Sequence, residues 1–263
     1  MDECHHMAAN RFEQMARRPR AHYVLGLSAT PTRKDGRHHI IFMQCGPVRW
    51  KTDARAEAAR RPFYHQVRIR ETSFHLPAGL APATPAIQAP YNTLAADTQR
   101  NDLIYNDVLT ALEAGRSPLV MTERAEHAES LASRLSRFAA NAVLLRGGRS
   151  ARERRAAEVR SAAVRPDQER VIVATGRYLG QGFDDPRLDT LFLALPIAWR
   201  GTLAQYAGRL HRLCDSKHAV VIYDYVDSAV PALARMAAKR RKEYAALGYE
   251  IGESGDLLES ASS

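Results

Sequence analysis

Beyond residue 117, short runs of apolar residues alternate with longer stretches in which apolar residues recur at helical spacing. Short continuous runs of this kind are typical of strands that are buried on both faces. The predicted strands are residues 118–122, 142–145, 171–174, 190–195 and 219–224. Because the stretches between them are long enough to cross over a sheet, the pattern predicts an α/β fold with a parallel sheet.

The stretches between these strands predict helices. Apolar residues from Ala125 to Phe138 form one stripe at helical spacing. Ser150 precedes an arginine-rich stretch and is predicted to be its N-cap, because its hydroxyl can accept from a backbone N–H of the first turn. The other predicted helices are residues 91–114, 203–213 and 229–247.

The first third of the chain has a weaker pattern. A polar helix is predicted for residues 6–18, and short strands are predicted for residues 22–27 and 64–69. Prolines and alanines then dominate a stretch with the composition of a linker. We therefore predict a first domain at residues 1–75, a linker at 76–90, a second domain at 91–249 and an acidic, serine-rich tail at 250–263.

The net charge suggests a class of partner. The 263 residues carry +9, and the last fourteen contribute −4 to that total, which leaves +13 on residues 1–249. A body this basic indicates a polyanionic partner, of which nucleic acid is the commonest. An arginine-rich genome would raise the charge in the same way, so composition leaves both explanations open.

The cysteines and the apolar runs indicate a compartment. Cys4, Cys45 and Cys214 are scattered and odd in number, which is typical of a reducing compartment and not of a disulfide scaffold. The longest apolar run, residues 191–199, is too short to span a bilayer, and the polar residues 2–6 are unlike the start of a signal peptide. We expect a soluble, cytoplasmic protein.

Two patterns near the start carry residues suited to phosphate chemistry. In D-E-C-H at residues 2–5, one carboxylate can orient Mg²⁺ while the other polarises the attacking water. In G-L-S-A-T-P at residues 26–31, small hydroxyl residues in a turn can link a nucleotide site to its surroundings. Each pattern alone is equally compatible with a solvated acidic pair or an ordinary turn.

A third pattern combines an apolar run with a glycine-rich loop, V-I-V-A-T-G at residues 171–176 and G-Q-G-F-D at residues 180–184. Glycines let the backbone approach a phosphate closely, and the hydroxyl of Thr175 can donate to one. The carboxylate of Asp184 can accept a hydrogen bond from a ribose hydroxyl. Taken alone, such a loop is also a common turn.

The fourth pattern is Q-Y-A-G-R-L-H-R at residues 205–212. Arg209 and Arg212 are three positions apart on a predicted helix, so both guanidinium groups are expected to leave one face. Gly208 is expected to remove bulk beside them. Paired guanidinium groups suit a phosphate whose charge grows during transfer, although a solvated basic helix would have the same composition.

In this order and spacing, the four patterns resemble motifs II, III, V and VI of the superfamily 2 helicases, over nearly the whole chain. V-M-T-E-R at residues 120–124, with His127, is similar to motif IV of the xeroderma-pigmentosum-B-type translocases. L-R-G-G at residues 145–148 is similar to their next backbone-contacting loop. The resemblance implies a RecA-like helicase C-terminal lobe preceded by a partial first RecA-like lobe, with the chain beginning at motif II.

The resemblance also implies roles for individual residues. Asp2 would hold Mg²⁺ through water and Glu3 would activate water, while Arg209 and Arg212 would act as arginine fingers on ATP. The residues implied to bind the nucleotide are His5, Gly182, Asp184 and Gln205. Those implied to couple the site to movement are Ser28, Ala29 and Thr30. Those implied to contact nucleic acid, with duplex DNA favoured, are Thr122, Arg124, Gly147, Gly148, Thr175 and Gly176.

The sequence departs from this family in one large respect, because it contains no G-x-x-x-x-G-K-[S/T] P-loop. Without that phosphate cradle we expect negligible ATP hydrolysis by the chain alone. A boundary introduced in cloning, a misplaced gene start and a split gene would each explain a chain that begins at motif II. We expect the missing part to be an N-terminal half that bears the P-loop.

Two other interpretations keep the same fold. The chain would be a non-catalytic, basic nucleic-acid-binding module, or a subunit that a P-loop-bearing partner completes in trans. A zinc site among the Cys and His residues at 4–6 and 38–39 is disfavoured, because adjacent ligands cannot wrap one tetrahedral ion.

Overall fold

The computed structural model describes residues 1, 4, 21–28, 36, 38–77, 88–148, 150–179, 184–197 and 200–252. The chain divides into two compact units, Met1–Asp53 and Ala54–Ser263.

In the first unit, the described residues contain one α-helix and an extended segment at residues 23–28. The helix, α1, is His39–Cys45. The Met1 ammonium donates to the Leu25 carbonyl (2.6 Å), and the Leu27 N–H donates to the Met1 carbonyl (2.9 Å). These two bonds join Met1 to the residues on both sides of Gly26, which is the alternation found in parallel pairing. The predicted strand at residues 22–27 is paired in this way but forms no ladder in the described part, and the predicted helix at 6–18 lies outside the described residues.

The second unit is built on one seven-stranded sheet in which every pairing is parallel. The strand order is β3-β4-β2-β5-β6-β1-β7. The strands are β1 (Tyr64–Glu71), β2 (Pro118–Thr122), β3 (Ala142–Leu145), β4 (Val171–Thr175), β5 (Thr190–Leu193), β6 (Ala219–Val226) and β7 (Glu250–Gly252). The predicted α/β fold with a parallel sheet is confirmed.

The helices of the second unit connect and flank these strands. They are α2 (Ala54–Ala59), α3 (Gln88–Ala96), α4 (Thr98–Glu113), α5 (Ala125–Leu135), α6 (Ala151–Ala163), α7 (Gly176–Leu179), α8 (Arg200–Leu210) and α9 (Pro231–Ala246). The predicted N-cap is confirmed, since Ser150 and Glu153 form a capping box. The single helix predicted for residues 91–114 is wrong. It is divided at Asp97, which has extended backbone and whose carboxylate accepts from the Arg100 N–H to start α4.

Both faces of the sheet are covered, and the alternation of side chains along the central strands shows how. Leu119 and Leu191 point into a core shared with Leu203 of α8, whereas Val120 points into a second core with Leu131 of α5. Every residue of β2, β4 and β5 is buried. A parallel sheet buried on both faces explains why these strands are continuous apolar runs in the sequence.

The boundary between the units differs from the predicted linker. Strand β1 lies between β6 and β7, in register from Tyr64 with Ala219 to Glu71 with Val226, so residues 64–71 belong to the sheet of the second unit. Strand β7 lies within the segment predicted to be a tail. Strand β1 contributes a full row of backbone hydrogen bonds to β6, and this pairing cannot be recognised from the linker composition that follows β1.

Candidate functional site

Three loops that carry predicted site residues lie at one edge of the sheet. Strands β2, β3 and β4 are adjacent and parallel, so the loops that follow them share the carboxyl edge. In open α/β sheets this edge is where ligands bind. The Gly147 N–H donates to the Thr175 hydroxyl at 3.2 Å, which links the loops after β3 and β4 directly. Gly148 has a φ of 85°, in the left-handed region that glycine tolerates best.

Thr122, at the end of β2, faces the interior. It is 2% exposed, and its hydroxyl lies 2.9 Å from Nδ1 of His127. The Arg124 N–H donates to the same hydroxyl at 3.4 Å. Thr122 therefore holds the turn between β2 and α5, in which Glu123 is exposed and Arg124 is half-buried.

The hydrogen bonds of His127 define its tautomer. Its Nε2 lies 2.9 Å from Oδ1 of Asn101, and the Asn101 amide Nδ2 donates to the Ala95 carbonyl, so Oδ1 is the acceptor. Nε2 then carries the proton, and Thr122 donates to Nδ1. Burial, and secondarily the Arg100 guanidinium, lower the pKa of His127 to about 4, so the ring is neutral near pH 7.

A contact outside the predicted set joins this edge to α8. The Tyr206 hydroxyl donates to the Glu123 carboxylate at 3.1 Å, and both groups lie over Gly176. A Cβ at position 176 would be 2.0 Å from the Tyr206 oxygen and 2.5 Å from Glu123 Oε1. Packing thus disfavours a side chain at position 176, and the nucleic-acid contact of Gly176 stays a prediction. Burial raises the pKa of Glu123 and that of Tyr206, so the Tyr206 hydroxyl keeps its proton at neutral pH and is the donor in this hydrogen bond.

Asp184, which was predicted to bind nucleotide, lies beside Arg212, a predicted arginine finger. Nε of Arg212 lies 3.1 Å from Oδ1 of Asp184, 28 positions away in the sequence. The two side chains are 59% and 45% exposed. Gln205 and Arg209 lie on α8 and are half-buried, with Arg209 in its last turn. A guanidinium and a carboxylate, both facing water, are therefore side by side.

Two expectations about the fourth pattern, which lies on and beyond helix α8, are wrong. Helix α8 ends at Leu210, so Arg212 lies beyond its last turn and does not share a helical face with Arg209. The Lys217 ammonium ends the helix there by donating to the Leu210 and Arg212 carbonyls at 2.7 and 2.8 Å. A Cβ at Gly208 would meet nothing within 4 Å, so no side chain or backbone group requires a glycine there.

His211 anchors the segment between the two arginines. Its Nε2 lies 2.7 Å from the Tyr249 hydroxyl, and its ring contacts His65 edge to face. Burial, and then the nearby charges of Arg61 and Lys217, lower the pKa of His211 to about 3, so it is neutral at physiological pH. The segment that carries Arg212 is thus fixed to strand β1 and to the residue before β7.

Several predicted residues receive no structural account. Asp2, Glu3, His5, Ala29, Thr30 and Gly182 lie outside the described residues. Ser28 is described and half-buried in the first unit. Among the described residues, no three His, Cys, Asp or Glu side chains are grouped to hold a metal ion.

Sequence reasoning missed Glu123, Tyr206 and Lys217. Glu123 directly follows a predicted strand, and Tyr206 lies inside the fourth pattern, so position pointed to both. Their pairing could not be predicted, because 83 residues separate them. Within the described part of the chain, no helix has the length and apolar character needed to cross a membrane.

Comparison with solved structures identifies the fold. T4 UvsW matches with a TM-score of 0.57 at 15% identity, over 82% of this chain and 45% of that one. S. cerevisiae Dbp5 bound to RNA and ADP BeF3 matches with a TM-score of 0.63 at 15% identity, over 97% of this chain and 59% of that one. The chain thus spans about half the length of these proteins, and its fold is a RecA-like α/β fold that matches helicase C-terminal domains.

Comparison with sequences gives one curated relative. "Uncharacterized protein 108L" of Invertebrate iridescent virus 3 is 37% identical over 84 residues, which are 32% of this chain and 76% of the viral protein. No protein-family model matches the chain.

Proposed function

We propose that this chain, which belongs to the same family as protein 108L of Invertebrate iridescent virus 3, is part of an ATP-dependent nucleic-acid helicase or translocase of superfamily 2. The second unit would supply arginine side chains to ATP and backbone contacts to nucleic acid. The first unit would carry motifs II and III, in the manner of the xeroderma-pigmentosum-B-type branch. ATP with Mg²⁺ is the proposed cofactor, and Asp2 is the proposed Mg²⁺ ligand through water.

The observation that carries the proposal is the Arg212–Asp184 pair. The pair brings Asp184, at the end of the third pattern, next to Arg212, at the end of the fourth, although 28 positions separate them. A nucleotide site needs both patterns in one place. Bound nucleotide would supply phosphate charge for Arg209 and Arg212 and ribose hydroxyls for Asp184. An exposed ion pair of this kind is worth only about 0–1 kcal/mol, so a phosphate can displace the carboxylate at little cost.

The three loops at the carboxyl edge support the nucleic-acid half of the proposal. The loops after β3 and β4 are linked by the Gly147–Thr175 hydrogen bond, and Arg124 follows the neighbouring strand. Backbone N–H groups, hydroxyls and guanidinium groups are the usual donors to a phosphate backbone. Dbp5 was solved with RNA, and for this chain we propose nucleic acid generally, with duplex DNA favoured by the resemblance.

Nucleic-acid binding can be tested with the purified chain. Fluorescence anisotropy with labelled duplex DNA and with labelled RNA should show affinity that falls as salt rises. Arg124→Ala should lower the salt slope by about one unit, because one phosphate contact is lost. Arg241→Ala, which removes an exposed charge from α9, is the matched control and should change the slope less. Equal effects of the two variants, or the absence of salt-dependent binding, would contradict the nucleic-acid assignment.

ATP turnover tests the nucleotide half. These 263 residues contain no P-loop, so we expect no hydrolysis by the chain or by Arg209→Ala, with or without duplex DNA. Turnover should appear when a P-loop-bearing half is supplied, and Arg209→Ala should then reduce it by a factor of ~10³ or more. DNA-stimulated turnover by the chain alone would show that the expected inactivity is wrong.

A non-catalytic nucleic-acid-binding module is the second candidate. The observation that favours it is helix α6, whose side chains Arg152, Arg155 and Arg160 are exposed while Ala157 and Ser161 face the interior. An arginine-rich face can bind phosphates without any nucleotide. If ATP does not change the affinity for nucleic acid when a P-loop-bearing half is present, the result would favour the non-catalytic module over the translocase.

A further inference from the structure

We propose that Cys4 and Cys45 are a redox-sensitive pair that forms a disulfide when the first unit is oxidised. Both side chains are thiols, and they pack with Ile41 in a small apolar cluster of that unit. Neither sulfur has a role in the proposed nucleotide or nucleic-acid contacts. The modification depends on the arrangement of three residues that are far apart in the sequence, Cys4, Gly26 and Cys45.

Gly26 reveals how close the two sulfurs are. A Cβ built on Gly26 would lie 2.7 Å from Sγ of Cys45 and 3.2 Å from Sγ of Cys4. Since both sulfurs lie within 3.2 Å of one point, they are no more than about 6 Å apart. A disulfide requires a separation of about 2 Å. A change of χ1 rotamer moves a sulfur by a comparable distance, so closure needs side-chain rotation rather than unfolding of the unit.

The backbone around the pair is held in place from both sides. The Cys4 N–H donates to the Leu27 carbonyl at 2.9 Å, which aligns Cys4 with the segment that contains Gly26. Cys45 is the last residue of α1, and the Gly46 N–H caps that helix by donating to the Phe42 carbonyl at 2.9 Å. Because Gly26 has no side chain, the two sulfurs can approach each other through the space that a side chain at position 26 would occupy.

The exposures of the two thiols indicate the order of the chemistry. Cys45 is half-buried, whereas Cys4 is 5% exposed, so a small oxidant such as hydrogen peroxide reaches Cys45 first. The Cys45 thiolate attacks a peroxide oxygen, which gives a sulfenic acid and, after protonation of the leaving hydroxide, water. The Cys4 thiolate then attacks that sulfur and displaces the hydroxide, which becomes a second water. Two thiols are oxidised to one disulfide, and one peroxide is reduced to two waters.

The consequence for activity rests on the proposed function. Cys4 directly follows Asp2 and Glu3 in the sequence, which are the proposed motif II carboxylates. A bond from Cys4 to α1 would tie the backbone next to them to a helix. Oxidation would then reversibly slow the ATP turnover that appears when a P-loop-bearing half is supplied. The formation of the disulfide does not depend on the roles of Asp2 and Glu3, so the two proposals can fail separately.

Peptide mass spectrometry after oxidation tests the pair. The reduced, folded chain is treated with hydrogen peroxide, and remaining thiols are then alkylated in denaturant. We expect a peptide that links Cys4 to Cys45 and has lost two hydrogens, which dithiothreitol restores to two alkylatable thiols. Cys214 lies in the other unit and serves as the internal control, which should remain outside any disulfide.

Matched variants sharpen the test. Cys214→Ser should leave the Cys4–Cys45 link unchanged, and Cys45→Ser should leave Cys4 alkylatable after the same treatment. The proposal is overturned if Cys4 and Cys45 both remain alkylatable when Cys214 has been oxidised, or if links to Cys214 form at comparable yield. These readouts are covalent, so they do not require ATP, nucleic acid or a P-loop-bearing partner.

Discussion

Two of the arginine–aspartate pairs in the second unit have opposite surroundings. Nη2 of Arg240, on α9, lies 2.7 Å from Oδ1 of Asp224 on β6, and the two side chains are 4% and 1% exposed. Nε of Arg212 lies 3.1 Å from Oδ1 of Asp184, and those side chains are 59% and 45% exposed. The chemical groups are the same, and what differs is the access of water to each pair.

The buried pair is complete within the protein. Arg240 binds the Asp224 carboxylate with both Nε and Nη2, and the Tyr244 hydroxyl donates to the same carboxylate at 2.9 Å. Burial lowers the pKa of Arg240, but the Asp224 carboxylate and the Tyr244 hydroxyl together raise it more, so the pKa lies above its ordinary value. Charges without access to water depend on each other, and removing one leaves the other unpaired at high cost.

The exposed pair is replaceable. Water solvates both Arg212 and Asp184, so their attraction is weak and each group can exchange its partner for a ligand. The difference indicates that the buried pair holds α9 to the sheet, whereas the exposed pair is available for binding. A polar residue suited to a ligand is one whose present partner contributes little to the free energy of folding.

Truncation of each arginine tests this comparison most directly. Arg240→Ala should lower the free energy of unfolding by about 3–5 kcal/mol, because Asp224 is left buried and unpaired. The matched variant Arg212→Ala should change it by less than about 1 kcal/mol. Urea unfolding followed by circular dichroism measures both values. Similar losses in the two variants would show that water access does not separate the pairs.

The pH dependence of the free energy of unfolding tests a second buried polar residue, His127. The pKa of His127 is about 4 in the folded protein and about 6.5 when exposed, so the unfolded chain binds more protons between these values. Stability should therefore fall as pH drops from 6.5 to 4, by on the order of 3 kcal/mol from this residue, which is 3% exposed. Urea unfolding at several pH values measures the slope.

A matched pair of variants assigns that slope. His127→Gln should reduce it by the share of this one residue, because His65 and His211 also have lowered pKa values and contribute to the same slope. His218→Gln, which removes an exposed histidine, should leave it unchanged. If His127→Gln unfolds with the slope of the unaltered chain, another group is responsible and the neutral, buried His127 is not supported.

Two glycines near the site give the smallest expected effects, and these have opposite signs. Gly176→Ala should destabilise the chain by about 1–3 kcal/mol, because the new methyl group displaces the Tyr206 hydroxyl and the Glu123 carboxylate. Gly208→Ala should stabilise it by about 0.5–1 kcal/mol, because the methyl group meets nothing and alanine favours the helix. Thermal unfolding of both variants checks the signs.

A further result with Gly208→Ala would sharpen the assignment of the site. Loss of nucleotide or nucleic-acid binding without loss of stability would show that a ligand approaches α8 at this glycine. Destabilisation by Gly208→Ala would instead contradict the open space on that face.

Part of the candidate site could be predicted because its residues follow predicted strands. Thr175 and Gly147 lie just after apolar runs, and adjacent parallel strands bring such positions to one edge. The direction in which a side chain points could not be predicted in the same way. Thr122 looks equally suited to contact a ligand in sequence, but its hydroxyl is bound to His127 in the interior.

The sequence alone determined strands β2 to β6 and the start of α6, because these depend on the spacing of apolar residues and on a cap within a few positions. Only the tertiary structure decided that β1 lies between β6 and β7, since that position depends on strands more than 150 residues away. It also decided which arginines are buried. Around Arg240 the rest of the fold excludes water and adds the Tyr244 hydroxyl, whereas Arg212 stays in water, and no local pattern encodes that difference.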